Sequence, residues 1–178
     1  MDEKSFALKK GDPLPECDRV LRIVENTQRD KKNKNIPAVR CFSLSPNDKG
    51  SLSVDWERKT TPEEAVARFG ASFKRGKEEY KTYDNREVYA MKVSFLNTLE
   101  PVENVVYDPI YYGKSEKGRV NNPAHSLVKF TEAFAKDNQN NPEIILKMRN
   151  HAVENKVQID SDKVQELVEK FRNLQAGN

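Results

Sequence analysis

One short turn gathers the residues whose types and spacing best suit ligand binding: Arg119, Asn121, Asn122 and His125. Each asparagine offers an amide donor and a carbonyl acceptor. Pro123 fixes its own φ and biases the preceding residue toward an extended conformation, so we predict a rigid turn. A guanidinium, two amides and an imidazole in fixed directions would suit a polar ligand, with or without a phosphate group. The alternative is a structural corner whose asparagine side chains bond to nearby backbone groups.

Arg40 is a further candidate for the same site. It alternates with apolar residues in the segment 36–44, which we predict to be a strand. Its side chain therefore lies either on a solvated face or in a cleft. The hypothesis is that Arg40 converges with Arg119, Asn122 and His125 on one pocket, and the alternative is that the four side chains point apart.

Familiar catalytic and metal-binding patterns do not occur in the sequence. The two histidines, His125 and His151, lie outside any H-E-x-x-H or H-x-x-E-H motif, so no metal site is predicted. The seven glycines form no phosphate-binding loop, and there is no G-x-S-x-G elbow. Cys41 and His125 are formally a nucleophile pair, but no neighbouring residue would activate the thiol. The sequence does not indicate whether the protein uses a cofactor.

The composition describes a folded protein with a modest core and a heavily charged surface. Charged residues make up 33% of the chain, against about 25% in a typical domain. The 31 basic and 28 acidic residues are interleaved, and a net charge of +3 does not by itself indicate nucleic-acid binding. Only two cysteines are present, so no disulfide framework is expected, and Cys41 is predicted to be a buried thiol. Without a secretory signal or an apolar span, we expect a cytoplasmic protein with no membrane association.

Apolar periodicity and turn residues divide the chain into strands and helices. Thr61, Pro62 and Glu64 form the start signature of a helix that ends at Gly70. Five segments have the alternation or short apolar runs of strands: 18–24, 36–44, 51–56, 87–96 and 102–107. The later segments predict a short strand and three helices, at 125–130, 131–137, 142–155 and 161–174.

Strands therefore dominate the first part of the chain and helices the last third. This order favours an α+β fold, with a small, mostly antiparallel sheet, one inserted helix and C-terminal helices. We predict an extended N-terminal arm (residues 1–17), an α+β domain (18–137) and a helical segment packed on it (138–178).

An ordered set of short motifs resembles a group of uncharacterised bacterial proteins. The motifs span residues 19–130 and include Leu52-Ser53-Val54-Asp55-Trp56, Thr61-Pro62-Glu63-Glu64-Ala65, Val105-Val106-x-Asp108-Pro109 and Asn122-Pro123-Ala124-His125. The resemblance implies a bacterial origin and no established activity. The chain is more loosely similar to small NAD-consuming transferases, in which an early arginine and a late polar residue flank a cleft. By that similarity, Arg40 would be the early arginine and His125 the late polar residue.

Three functional hypotheses follow from these observations. The first is a non-enzymatic binding or protein-interaction protein, whose amphipathic last helix docks on a partner or closes a homodimer. The second is an enzyme or ligand-binding domain for a nucleotide-like compound, using the candidate residues above. The third is RNA binding through the basic 29–34 loop, which predicts an affinity that falls steeply with salt.

Overall fold

The computed structural model describes residues 7–44, 50–74, 76–113, 116–137 and 142–176. Six strands pair antiparallel in one sheet: β1 (Arg19–Glu25), β2 (Ser51–Trp56), β3 (Arg86–Lys92), β4 (Val102–Tyr107), β5 (His125–Phe130) and β6 (Lys156–Val157). Across the sheet their order is β4-β5-β2-β1-β3-β6. The helices are α1 (Pro62–Gly70), α2 (Val93–Asn97), α3 (Glu132–Asp137), α4 (Pro142–Glu154) and α5 (Ser161–Ala176). The predicted α+β class, with its antiparallel sheet, inserted helix and C-terminal helices, is confirmed.

Helix α1 begins at the capping box that the sequence predicts. The Thr61 hydroxyl accepts a hydrogen bond from the Glu64 amide at 3.2 Å, and the Glu64 carboxylate accepts one from the Thr61 amide at 3.1 Å. These two bonds satisfy amide groups that have no partner within the helix. Because successive side chains of a strand point to opposite faces of the sheet, α1 covers only every second residue of the strands beneath it.

The sheet has a different layer on each face. On the first face, Leu52, Val54 and Trp56 of β2 belong to the larger core, which also includes α2, α4 and the short helical turn Val39–Phe42. On the second face, β1 and β3 pack against α1 and α5, and the core residues there are Leu21, Val66, Ala67, Val88, Ala90, Val164 and Val168. The second face of β2 and β5 carries the polar residues described below.

The predicted strand 36–44 is wrong. Residues Val39–Phe42 form a 3-10 turn, and consecutive side chains Cys41 and Phe42 are both buried, which a half-buried strand does not allow. Pro37 lacks an amide hydrogen and makes only an isolated bridge with Arg29. Arg40 is exposed on this turn.

The predicted strand 87–96 is correct only in its first part. The strand β3 ends at Lys92, and the chain turns into α2, where Val93 and Leu96 are buried three residues apart on one helical face. The apolar run is short, so its pattern fits both the two-residue period of a strand and the 3.6-residue period of a helix.

Two short segments lie along the edges of the sheet. In the N-terminal part, the amides of Gly11 and Leu14 donate to the carbonyls of Tyr107 and Val105 in β4, each at 2.8 Å. At the other edge, β6 pairs with β3.

No helix within the described ranges is long and apolar enough to cross a membrane.

Candidate functional site

A cavity of about 360 Å³ opens over the second face of the sheet, between α1 and a strap formed by residues 110–113 and 116–122. Its volume is within the range of small-molecule sites. The paired residues of β1 and β2 are only Val20 with Trp56 and Leu21 with Asp55, and beyond them the strands separate. The walls consist of Leu21, Arg22, Ile23, Ser53, Val54, Asp55, Ala65, Arg68, Phe69, Ser72, Lys81, Arg86, Ile110, Tyr112, Val120, Asn122 and His125.

Arg22 fills the gap where β1 and β2 separate. Its guanidinium donates from Nε to the Cys41 carbonyl at 3.1 Å and from Nη1 to the Ser53 carbonyl at 2.8 Å. These carbonyls are thus satisfied without a neighbouring strand. Arg22 also contributes to the wall of the cavity.

Arg68 is a buried cation in the wall formed by α1. Arg68 is only 8% exposed, and its Nη2 donates a hydrogen bond to the Thr60 hydroxyl. The buried Nε has no hydrogen-bond partner among the described atoms. Burial lowers the pKa of Arg68, and the nearby Asp55 opposes this shift. A buried donor without an acceptor costs about 1–3 kcal/mol, so an acceptor in the cavity would stabilise the fold.

Two further cations lie against the Phe69 ring at the other side of the cavity. The ammonium of Lys81 and the guanidinium of Arg86 are each 4.5 Å from the ring centroid. Burial and the charges of Arg119 and Arg86 lower the pKa of Lys81. The Arg86 guanidinium is in turn 3.7 Å from the carboxylate of Glu25, which is not among the lining residues. The cavity is thus lined by four cationic side chains and by one carboxyl group, that of Asp55.

Asp55 forms part of the cavity floor and is 7% exposed. Its Oδ1 accepts a hydrogen bond from Nδ2 of Asn122 at 2.6 Å, while Oδ1 of Asn122 accepts one from the Ala124 amide at 3.2 Å. Burial raises the pKa of Asp55, although Asn122 and the neighbouring cations oppose the shift. Asp55 therefore keeps its proton at higher pH than an ordinary aspartate.

His125 lies beside Asp55, because the two residues are paired across β2 and β5 and so share one face of the sheet. Its Nδ1 is 2.7 Å from the carbonyl oxygen of Asp108 and 3.5 Å from the Asp108 carboxylate. A carbonyl oxygen only accepts, so Nδ1 carries the hydrogen, and in the neutral ring the lone pair is on Nε2. The site thus combines a carboxyl with a raised pKa and an imidazole with a fixed tautomer.

The turn that carries Asn122 and His125 is tied to the strap. Asn122 and Ile110 exchange two backbone hydrogen bonds, of 2.8 and 3.0 Å, and Oδ1 of Asn121 accepts one from the Tyr112 amide at 2.7 Å. Asn121 is exposed and bonds to backbone, as the structural-corner reading of the turn expects. Asn122 makes a local bond as well but also extends to Asp55 in the cavity.

The five sequence-predicted site residues are only partly brought together. Asn122 and His125 line the cavity, whereas Asn121 supports the strap from outside it. Arg119 is exposed at the rim, with its guanidinium 5.7 Å from the Tyr112 ring centroid. Arg40 is not among the lining residues.

Sequence reasoning missed most of the charged lining: Arg22, Asp55, Arg68, Lys81 and Arg86. Arg22 and Arg68 had a usable signal, since each interrupts an apolar pattern, in a strand and in a helix respectively. Asp55 has a similar position, between Val54 and Trp56.

Other chemistry receives less support from the described residues. No group of three or more histidine, cysteine, aspartate or glutamate side chains within them could hold a metal ion. Cys41 is buried in the core of the first face, and burial raises the pKa of its thiol.

The chain matches no protein-family model, and no curated protein and no solved structure is significantly similar to it.

Proposed function

We propose that this protein binds an anionic, phosphate-bearing small molecule, such as a nucleotide, in the cavity between α1 and the strap. One observation carries the proposal: four cationic side chains and a single carboxyl group line a cavity of about 360 Å³. Glu25 pairs with Arg86 at 3.7 Å, but the lining itself has more cationic than anionic groups, and a bound anion would reduce that imbalance. The unpartnered Nε of Arg68 adds a donor for that anion.

The kinds of side chain in the cavity also suit a ligand of mixed character. Guanidinium groups bind phosphate oxygens through paired hydrogen bonds, which favours a phosphate as the anionic group. Ile110, Val120 and Tyr112 supply an apolar wall for a sugar or a ring. The Asp55 carboxyl, with Asn122 and His125, offers donors and acceptors for hydroxyl or amide groups.

Titration calorimetry with phosphate, pyrophosphate, ADP, NAD and uncharged adenosine tests the proposal. We expect the phosphate compounds to bind, adenosine to bind much more weakly, and affinity to fall as salt is added. A compound present at 100 times its dissociation constant should stabilise the fold by about 2.7 kcal/mol in a thermal unfolding assay. The absence of binding by every phosphate compound would contradict the proposal.

Matched charge-removing variants locate the binding. Arg86→Gln and Lys81→Gln remove cavity cations, whereas Arg40→Gln removes an exposed cation outside the cavity. Since a hydrogen bond to a charged group contributes about 1.5–3 kcal/mol, we expect each cavity variant to raise the dissociation constant by about tenfold or more. Equal loss of affinity in Arg40→Gln would place the anion elsewhere.

A second candidate function, docking on a protein partner or on another copy through α5, has one supporting observation. The inner side of α5 packs on α1 through Val164 and Val168, while Leu174 is 59% exposed near its end. Light scattering at increasing concentration, with the wild type and Leu174→Ser, tests self-association. A monomer with the same mass in both proteins would exclude the homodimer.

RNA binding by the 29–34 loop receives less support. Arg29 is engaged with Glu87 at 2.9 Å, and Asp30 accepts two backbone hydrogen bonds within the loop. Lys31, Lys32 and Lys34 remain exposed. An RNA oligonucleotide in the same calorimetric series tests this function. If RNA binds through the loop, Lys32→Gln should weaken RNA binding and leave binding in the cavity unchanged.

A further inference from the structure

Three parts of a phosphoryl-transfer centre lie in the same cavity. The cations of the wall suit a phosphate group, as the binding proposal requires. His125 and Asp55 are directly paired on adjacent strands, and both line the cavity. Paired residues on one sheet face have Cβ atoms about 5 Å apart, so a single phosphate can contact both side chains.

We propose that the cavity is an active site for phosphate monoesters, in which Nε2 of His125 accepts the phosphoryl group and the Asp55 carboxyl protonates the departing alcohol. This inference rests on the proposed function, because it needs the phosphate in the cationic cavity. It goes beyond binding, since it makes the ligand a substrate and assigns it a reaction.

The two steps balance without any additional reactant except water. In the first, the lone pair of Nε2 forms a bond to phosphorus as the bond from phosphorus to the ester oxygen breaks. The leaving oxygen takes the proton of Asp55, which becomes a carboxylate. In the second, water attacks phosphorus, the nitrogen–phosphorus bond breaks, and the Asp55 carboxylate takes a proton from that water. The products are the alcohol and inorganic phosphate.

The surroundings of His125 fit a nucleophilic imidazole. The bond between its Nδ1 and the Asp108 carbonyl leaves the lone pair of the neutral ring on Nε2. When Nε2 is phosphorylated the ring becomes positively charged, and the Asp108 carboxylate 3.5 Å from Nδ1 offsets that charge. Asp108 is a positioning residue, as is Asn122, which orients the Asp55 carboxyl.

Arg68 and Arg22 supply the electrostatic part of the reaction. Charge accumulates on the phosphate oxygens as the phosphoryl group transfers, and cations fixed before the reaction stabilise it. Arg68 is held between the Thr60 hydroxyl and the Phe171 ring, and Arg22 between two carbonyl groups. Both guanidinium groups are therefore fixed by protein contacts before a ligand arrives.

Hydrolysis of p-nitrophenyl phosphate and covalent labelling by phosphoramidate test the inference on the full chain. The chain has two histidines, so His151, which stacks on Phe95, provides the matched control. We expect hydrolysis and an acid-labile phosphoryl adduct, seen by mass spectrometry, in the wild type and His151→Ala. Both should be lost in His125→Ala and His125→Gln, with turnover at least about a thousandfold lower.

Two esters whose leaving groups differ in their need for a proton test the role of Asp55. p-Nitrophenolate leaves without a proton, whereas an alkyl alcohol needs one. In the first turnover, before water reacts with the phosphorylated histidine, Asp55→Asn should therefore slow the release of glycerol from glycerol 2-phosphate by about 10²–10⁴-fold and the release of p-nitrophenolate much less. Equal slowing of this first step for the two esters would overturn the assignment.

Binding and catalysis fail separately in these experiments. Phosphate binding by calorimetry without turnover or adduct would overturn the catalytic inference and leave the binding proposal standing. If none of the phosphate compounds binds, both fail. Unchanged hydrolysis in the two His125 variants would also overturn the inference, because the activity would then come from elsewhere. Unfolding midpoints of all variants show whether a loss reflects the fold instead.

Discussion

The Asn122 side chain donates to the Asp55 carboxyl over 2.6 Å and so joins the turn before β5 to the buried floor of the cavity. Asn122 also accepts from the Ala124 amide, which fixes which end of its amide group faces Asp55. The same residue thus shapes the turn and satisfies a buried carboxyl.

Removing this side chain should destabilise the protein. Asn122→Ala leaves a buried carboxyl oxygen of Asp55 without its donor, and we expect a loss of about 1–3 kcal/mol in the free energy of unfolding. Urea unfolding measures it. Asn121→Ala is the matched control, because that amide is exposed and bonds only to the Tyr112 backbone, and its loss should stay within about 0.5–1 kcal/mol. Equal effects would contradict a special role for the bond to Asp55.

The positive charge of Lys81 should oppose stability while supporting binding. Burial and the cations Arg119 and Arg86 lower its pKa, so the charged form is disfavoured in the empty cavity. We expect Lys81→Met, which keeps most of the stem, to stabilise the unliganded protein by on the order of 0.5 kcal/mol and to weaken phosphate binding. Thermal unfolding and calorimetry measure the two effects.

A control for this trade-off is Lys34→Met, which removes an exposed lysine from the polar loop. It should change neither quantity appreciably. If Lys81→Met destabilises the unliganded protein and leaves phosphate affinity unchanged, the cavity is not an anion site.

The sequence predicts elements well where local chemistry decides them. The Thr61 capping box and the alternation of Leu52, Val54 and Trp56 are local signals, and both α1 and β2 occur as predicted. The segment 36–44 fails because Pro37 and the packing of Cys41 and Phe42 override a short alternating pattern. Propensity is a weak guide where tertiary contacts decide.

The candidate site was harder to predict, for a physical reason. Asn122 and His125 belong to a turn whose residue types stand out locally. The cavity itself arises where β1 and β2 separate, which no local pattern encodes. Arg22 and Arg68 interrupt apolar patterns, so a cation at such a position is a signal that could have been used, whereas Lys81 comes from a loop without periodicity.

Glu87 should make stability depend on pH in the acid range. Burial alone would raise its pKa, but hydrogen bonds from Arg29, Lys156 and Tyr89 outweigh burial and lower it from 4.5 to about 2. A lowered pKa means that the carboxylate stabilises the fold above pH 4.5, and that this contribution is lost as the pH falls toward about 2.

We therefore expect Glu87→Gln to be less stable than the wild type by about 1–2 kcal/mol at neutral pH, a figure that allows for solvent screening. The difference should shrink as the pH falls through the range from 4.5 to about 2. Urea unfolding across pH measures it, with Glu103→Gln, an exposed position on β4, as the control. A difference that does not vary with pH would show that the effect is not due to ionisation.

Gly118 fixes the strap against the chain that follows α1. Its φ is 69°, a left-handed conformation that favours glycine, and its carbonyl accepts from the Phe73 amide at 2.7 Å. A Cβ at this position would overlap the Phe73 ring, so Gly118→Ala must displace either the ring or the strap.

Gly76→Ala separates this overlap from backbone strain, because Gly76 has nearly the same φ, 71°, but no atom within 4 Å of an added Cβ. The strain alone costs about 1–2 kcal/mol, so we expect that loss in Gly76→Ala and a larger one in Gly118→Ala. Only Gly118→Ala should also weaken phosphate binding, since it moves the strap that carries Val120 and Asn122. Unfolding and calorimetry on both variants check this, and equal stability losses with unchanged affinity would mean that the position of the strap does not control the cavity.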